Sequence, residues 1–243
     1  MSPFLGELLG TAILIIFGNG VVANVVLSRT KGNNAGWIVI TTGWALGVTI
    51  AVYSVNAISG AHLNPAVTIA LASIGTVSWA QVPTYVAAQV AGGFLGGVVV
   101  WLAYLPHWKE TVDQGSKLAV FSTGPAIRAP GANILAEAIG TFALVLGSLA
   151  VLSPNNLVPG SDLAKGLSPL LVGAIVMGIG LSLGGATGYA INPARDLGPR
   201  IAHALLPIAG KGSSDWGYAW VPVVGPIIGG LLGAFAYDLL WQA

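Results

Sequence analysis

Six stretches of this chain are apolar for about twenty residues or more, and they constrain its fold more than any other feature: Pro3–Leu27, Trp37–Ile58, Gln81–Leu105, Ala132–Leu152, Leu167–Ala186 and Tyr218–Trp241. About twenty apolar residues make a helix long enough to cross a bilayer core of ~30 Å. Charged residues are 7% of the chain, whereas a soluble domain carries about 25%. Such a chain cannot cover itself with polar groups. The six stretches are therefore predicted to be the spans of an all-α membrane protein. Breakers and charges collect between them, in SRTKGNNAG, PHWKETVDQGSK, SPNNLVPGSDLAKG and GKGSSDWG. The first stretch has no basic segment before it and no small-residue cleavage site after it, so it is expected to be a retained span rather than a signal peptide. A net charge of +1 argues against nucleic acid as a partner. The absence of cysteine excludes disulfides, thiolate metal sites and thiol chemistry.

Two apolar stretches are too short to cross, about Pro65–Ile74 and Pro193–Leu206. Ten helical residues reach ~15 Å, half of the bilayer core. Both are expected to be re-entrant half-helices. Each begins with the same three residues, Asn64-Pro65-Ala66 and Asn192-Pro193-Ala194. Asn is a good helix N-cap, and Pro suits the first helical turn because its missing N–H would be unpaired there anyway. A helix N-terminus carries about half a positive charge. Two such ends aimed at one point repel cations, while the Asn amides can still donate to a neutral oxygen. Non-helical backbone at this depth is tolerated where it is buried or lines a water-filled cavity.

Other motifs repeat in the same order. Glu7-Leu8-Leu9-Gly10-Thr11 opens the first span and Glu137-Ala138-Ile139-Gly140-Thr141 the fourth. Gly92-Gly93-Phe94-Leu95-Gly96 in span three matches Gly229-Gly230-Leu231-Leu232-Gly233 in span six. The halves, about 1–105 and 131–243, each contain three crossings. Three is odd, so the second half must enter from the opposite face. This predicts an inverted-topology repeat with a site near the midplane, and Gly-rich surfaces for close helix packing.

These motifs resemble those of the major intrinsic protein family, the aquaporins and aquaglyceroporins, over the whole chain. The resemblance implies a single membrane channel domain over 1–243, not an enzyme. It has six tilted helices plus two half-helices, assembled as a homotetramer with one pore per subunit and without cofactor or metal. It implies that Arg195, three residues after Asn192, is the cation-repelling residue of the constriction. An intramembrane Arg is a functional-site expectation in its own right. Glu7 and Glu137 are implied to support the loops that carry the Asn-Pro-Ala motifs, and His62 to contribute to the pore wall. His107 and His203 carry no role. Asp238, Trp216, Trp220 and Trp241 are expected in interface belts.

Within the family, the constriction resembles that of the glycerol-conducting branch. Trp44 stands twenty residues before Asn64, Gly180 twelve before Asn192, and Tyr189 three before Asn192, where a Phe is usual. Asp196, Arg200 and the pair Pro222-Val223 agree with that branch. Gly180 in place of a His is expected to widen the slot, with Trp44 and Tyr189 as an apolar corner and Arg195 facing hydroxyls. The expected cargo is glycerol and water; dihydroxyacetone, urea, hydrogen peroxide and protonated lactic acid are conceivable. A water-selective channel is the alternative. A secondary carrier would need a coupling carboxylate near the midplane, and an intramembrane hydrolase a nucleophile–base pair. The resemblance places both termini in the cytoplasm of a cell-membrane protein. The positive-inside rule points the other way. Arg29, Lys31, Lys109, Lys117, Arg128, Arg200 and Lys211 follow spans one, three and five, and only Lys165 lies opposite.

Overall fold

A computed structural model describes residues 1–241. The described residues form helices and connections, in the order α1 (Pro3–Val26), α2 (Trp37–Ser59), α3 (Pro65–Ser73), α4 (Val82–Ala103), α5 (Leu105–Glu110), α6 (Gln114–Ala119), α7 (Pro130–Val151), α8 (Asp162–Leu183), α9 (Pro193–Leu205) and α10 (Val221–Trp241). Six of these are long and apolar enough to cross a membrane: α1, α2, α4 with the 3₁₀ turn before it, α7, α8 and α10. The short helices α3 and α9 are the two half-helices.

The fifth span begins five residues earlier than the sequence reading placed it. Ser161 caps it, accepting from the Ala164 N–H at 3.1 Å, and Asp162 supplies an acid in the first turn. Pro169, which reads as a breaker, is accommodated inside the helix. The connection before α7 contains α5 and α6. Asp113 caps α6, and hydrogen bonds from Ser116 hold its carboxyl below the usual aspartate range. Trp108 of α5 is buried and stacks on Phe121. His107, without a role in the sequence reading, has its Nδ1 2.9 Å from the Ser28 carbonyl. This joins the connection between α1 and α2 to α5.

Glycines set how closely the helices approach, and they do so in matching pairs. A Cβ on Gly92 would strike the Leu8 carbonyl of α1, and one on Gly229 would strike the Ala138 carbonyl of α7. Leu8 follows Glu7 just as Ala138 follows Glu137. One residue on, a Cβ on Gly93 would lie 2.7 Å from the Ala194 carbonyl, and one on Gly230 would lie 3.0 Å from the Ala66 carbonyl. The last span of each half therefore presses one glycine on the first span of its own half and the next on the other half's half-helix. Packing follows this pattern: α1 on α4, α7 on α10, α4 on α9 and α10 on α3. In lipid, where apolar contact alone drives little helix association, close backbone approach supplies the attraction.

Candidate functional site

The two half-helices start face to face. Each Asn side-chain oxygen caps its own helix: Asn64 accepts from the Ala66 N–H at 2.9 Å, and Asn192 from Ala194 at 3.0 Å and Arg195 at 3.2 Å. The amide nitrogens cross over. Asn64 donates to the Ile191 carbonyl and Asn192 to the Leu63 carbonyl, both at 2.8 Å. One N–H of each Asn thus holds the opposite loop, and each amide has a second. Pro65 and Pro193 occupy the first helical turn.

The chain leading into each half-helix has an uncommon backbone. Ala61 and Leu63 lie at φ 50° and 52°, Tyr189 and Ile191 at 38° and 43°, and Gly60 and Gly188 before them at 81° and 82°. Left-handed backbone at a bulky or β-branched residue is strained, by ~1–3 kcal/mol each. Two buried carboxylates oppose that strain. Glu7 accepts from the backbone N–H groups of His62 (3.0 Å) and Leu63 (2.7 Å), from Ser59 Oγ (2.6 Å) and from Gln89 Nε2 (2.7 Å). Glu137 accepts from Ala190 N–H (3.0 Å) and Ile191 N–H (2.8 Å). A hydrogen bond to a charged group contributes ~1.5–3 kcal/mol, enough to offset one strained residue. Because these N–H groups face the carboxylates, the carbonyls of Leu63 and Ile191 are left for the opposing Asn amides. His62 is held from behind: its Nδ1 is 3.1 Å from Thr68 Oγ1, which also accepts from Gln89 Nε2 at 3.0 Å.

Two cavities approach this crossing from opposite faces. One, of about 380 Å³, reaches the connection between α7 and α8 and is lined near the crossing by His62, Asn64 and Asn192. The other, of about 270 Å³, reaches the connection between α6 and α7. Three residues line both: Trp44, Tyr189 and Arg195. Each carries a buried polar atom without a hydrogen-bond partner among the described residues: Trp44 Nε1, Tyr189 Oη and Arg195 Nη1. The Arg195 guanidinium carbon sits 4.1 Å from the centre of the Trp44 ring, a cation–π contact. Trp44 in turn lies on Gly18 of α1, where any Cβ would overlap its ring.

Gly180 lines neither cavity. A Cβ there would stand 2.8 Å from Tyr189 Cζ, so the space it frees is filled by the tyrosine ring instead of widening the slot. Gly180 therefore meets the cavities by way of the Tyr189 ring. Backbone direction, invisible in the spacing, decides it.

Behind Arg195 lies a fully buried ion pair. Arg200 Nε donates to Asp196 Oδ1 at 2.7 Å and Nη2 to Oδ2 at 3.0 Å. The remaining guanidinium donors go to the carbonyls of Thr123, Ser214 and Asp215. Asp196 Oδ2 also accepts from the Thr123 N–H and hydroxyl at 2.7 and 2.8 Å. The connection between α6 and α7 is thereby tied to α9. At the far end of α9, Lys211 donates to the carbonyls of His203, Ala204 and Leu206, each at 2.7 Å, which satisfies the orphan acceptors of a helix C-terminus. The buried His203 pairs through Nδ1 with Ser214 Oγ at 2.9 Å.

The sequence profile of the major intrinsic protein family matches residues 1–237. The chain belongs to the major intrinsic protein family. It is 61% identical over 241 residues to a probable glycerol uptake facilitator protein of Thermotoga maritima, covering 99% of this chain and 100% of that one. It is 58% identical over 242 residues to the glycerol uptake facilitator protein of Bacillus subtilis, covering 100% of this chain and 86% of that one. Among solved structures, the aquaglyceroporin from Plasmodium falciparum superposes with a TM-score of 0.85 at 33% identity, covering 98% of this chain and 95% of that chain. In this member of the major intrinsic proteins, Gly18 beneath Trp44, Thr68 and Gln89 beside Glu7 and His62, and Thr123 on Asp196 support the site but are not singled out by the sequence. Their partners lie on other elements, and none of these residues belongs to the motifs that repeat along the chain.

Proposed function

We propose that this chain is a passive channel for glycerol, and for water, across the cell membrane, with the passage running through the 1–243 unit built from halves of about 1–105 and 131–243. The observation that carries the reading is the trio Trp44, Tyr189 and Arg195, shared by both cavities. A polyol has a carbon edge and a hydroxyl edge. The two aromatic side chains suit the first, and the Arg195 guanidinium, which lines both cavities, suits the second. A solute that sheds water at a narrow point needs replacement hydrogen bonds, each worth ~0.5–1.5 kcal/mol net. The relatives named as glycerol uptake facilitators support the same cargo.

Arg195 and the two half-helix N-termini place positive potential on the passage, which repels protons and other cations. Past the constriction, a solute oxygen meets the second N–H of Asn64 and Asn192, then the wall that includes His62. Pro65, Ala66, Pro193 and Ala194 set the two helix starts, and Glu7 and Glu137 hold the loops. In this reading Gly180 acts on the filter through Tyr189. The protein is a homotetramer with both termini in the cytoplasm, and it transports without chemistry or cofactor. Dihydroxyacetone, urea, hydrogen peroxide and protonated lactic acid are small enough to be tested beside glycerol. The decisive experiment is light scattering from proteoliposomes in an osmotic gradient. Fast water exit and glycerol entry that follow the gradient linearly are expected. Glycerol entry no faster than in empty liposomes rejects the cargo, and saturable uptake driven by protons or sodium would identify a carrier.

A further inference from the structure

Tyr189 borders both cavities on a backbone that does not itself favour the position. Its φ of 38° is uncommon for a bulky residue, yet its side chain is 5% exposed. The ring is held by two helices instead. It lies on the end of α8, against Gly180 and the C-cap residue Gly184. A Cβ on Gly180 would stand 2.8 Å from Tyr189 Cζ, and one on Gly184 2.5 Å from both Tyr189 Cδ1 and the Gly180 carbonyl oxygen. Thr41 of α2 also borders the slot, its Cγ2 2.9 Å from the same Gly180 Cβ position. Trp37, the first residue of α2, closes it. The Trp37 ring meets the Tyr189 ring edge to face, 5.7 Å between centres at 77°. The indole Nε1 donates to the Gly180 carbonyl at 2.9 Å, which fastens the start of α2 to the last turn of α8. Trp37 Cζ2 would also lie 2.8 Å from a Cβ on Gly184. Trp37 and Gly184 line the cavity on the α6–α7 side together with Tyr189, so a shift of the ring changes that wall.

We propose that Trp37 and Gly184 are positioning residues for solute specificity: they hold the Tyr189 ring against α8 and so set the width of polyol that passes. The proposal rests on the reading of the chain as a polyol channel. It makes the filter a property of the α2–α8 seam as well as of the loop that carries Tyr189. Two substitutions should act in opposite directions. Gly184→Ala adds a methyl group where the ring lies and pushes it into the passage. Trp37→Ala removes the edge and lets the ring swing back.

The test measures water, glycerol and a four-carbon polyol, erythritol, in the same proteoliposome preparations. For Gly184→Ala, the glycerol-to-water flux ratio is expected to fall ~10-fold, the low end of what one methyl group does in a fitted pocket. For Trp37→Ala, the erythritol-to-glycerol ratio is expected to rise, and Trp37→Phe, which keeps an aromatic edge, should restore it to the wild-type value. A merely structural role would lower all three fluxes in proportion. Proportional loss, or unchanged ratios in both Gly184→Ala and Trp37→Ala, overturns the proposal. The wild-type protein keeps the two readings apart. If it passes no glycerol, the channel reading fails; if it does and the variants' ratios do not move, only the positioning role fails.

Discussion

Arg195 and Tyr189 offer contrasting cases of a buried polar group without a partner. Arg195 is a fixed charge, since a guanidinium stays protonated, and its cost in a low-dielectric site is partly offset by the Trp44 ring face. Arg195→Val is expected to admit protons or small cations while neutral solutes still pass, because only the helix dipoles then remain as a barrier. Ion conductance at background in a folded, reconstituted variant would mean that the dipoles suffice. Tyr189 is neutral, and its Oη is the one atom by which it differs from Phe. In Tyr189→Phe the slot around the ring is unchanged and one buried hydroxyl, without a partner among the described residues, is removed beside the cavities. Faster flux of glycerol and longer polyols, with water changed less, is the expected result. If the hydroxyl instead replaces lost hydration, worth ~0.5–1.5 kcal/mol, glycerol flux falls while water flux holds, and the steric account fails.

At the scale of elements, each half-helix has a carboxylate at its entrance and a glycine pair at its back. Glu137 spends both oxygens on adjacent N–H groups of a strained loop. Glu137→Gln replaces one of those oxygens with an NH₂ group that cannot accept. One buried N–H of Ala190 or Ile191 is then unsatisfied, at a cost of ~1–3 kcal/mol. The variant is expected to unfold at lower temperature in detergent and to lose flux, as the loop that positions Tyr189 relaxes. A melting temperature equal to wild type would show that the loop is held by other contacts. The two halves are not equivalent at their far ends. Lys211 covers the C-terminus of α9, whereas α3 ends on backbone and hydroxyl bonds of its own segment.

For the whole molecule, the distribution of cations bears on orientation. The connections after spans one, three and five hold most of the Lys and Arg, but most of these have partners within the fold. Arg200 pairs with Asp196, Arg128 with Asp215 and Arg29 with Glu110. The Asp215 carboxylate raises the Arg128 pKa further. Lys117 and Lys211 donate to backbone carbonyls. Lys31 and Lys109 are the two there without an ion pair or side-chain hydrogen bond among the described residues. The positive-inside count and the family resemblance point opposite ways; on the resemblance, the C-terminus is predicted to be cytoplasmic. A C-terminal tag should be cleaved by protease in inverted vesicles and protected in intact cells; the reverse pattern would favour the positive-inside count. With no cysteine in the chain, mercurials should not block flux. Rapid inhibition reversed by a thiol would contradict this.

What the sequence determined by itself was the set of features that repeat along the chain or depend on local chemistry. Six apolar runs of sufficient length, two Asn-Pro helix starts before runs too short to cross, and matched Glu and Gly-Gly motifs imply the six spans, the half-helices and the inverted order. Each follows from the bilayer's thickness or from the bonding of a helix end. Tertiary structure decided the contacts between residues far apart in number. Gly180 lies beneath the Tyr189 ring because α8 and the loop after it meet at that face, and Trp37 closes the same slot from α2. Gln89 and Thr68 join Glu7 to His62, and Arg200 is spent on Asp196 and three carbonyls. Direction could not be read from spacing, because which way a side chain points in a loop with alternating left-handed residues depends on the carboxylate that holds its N–H groups.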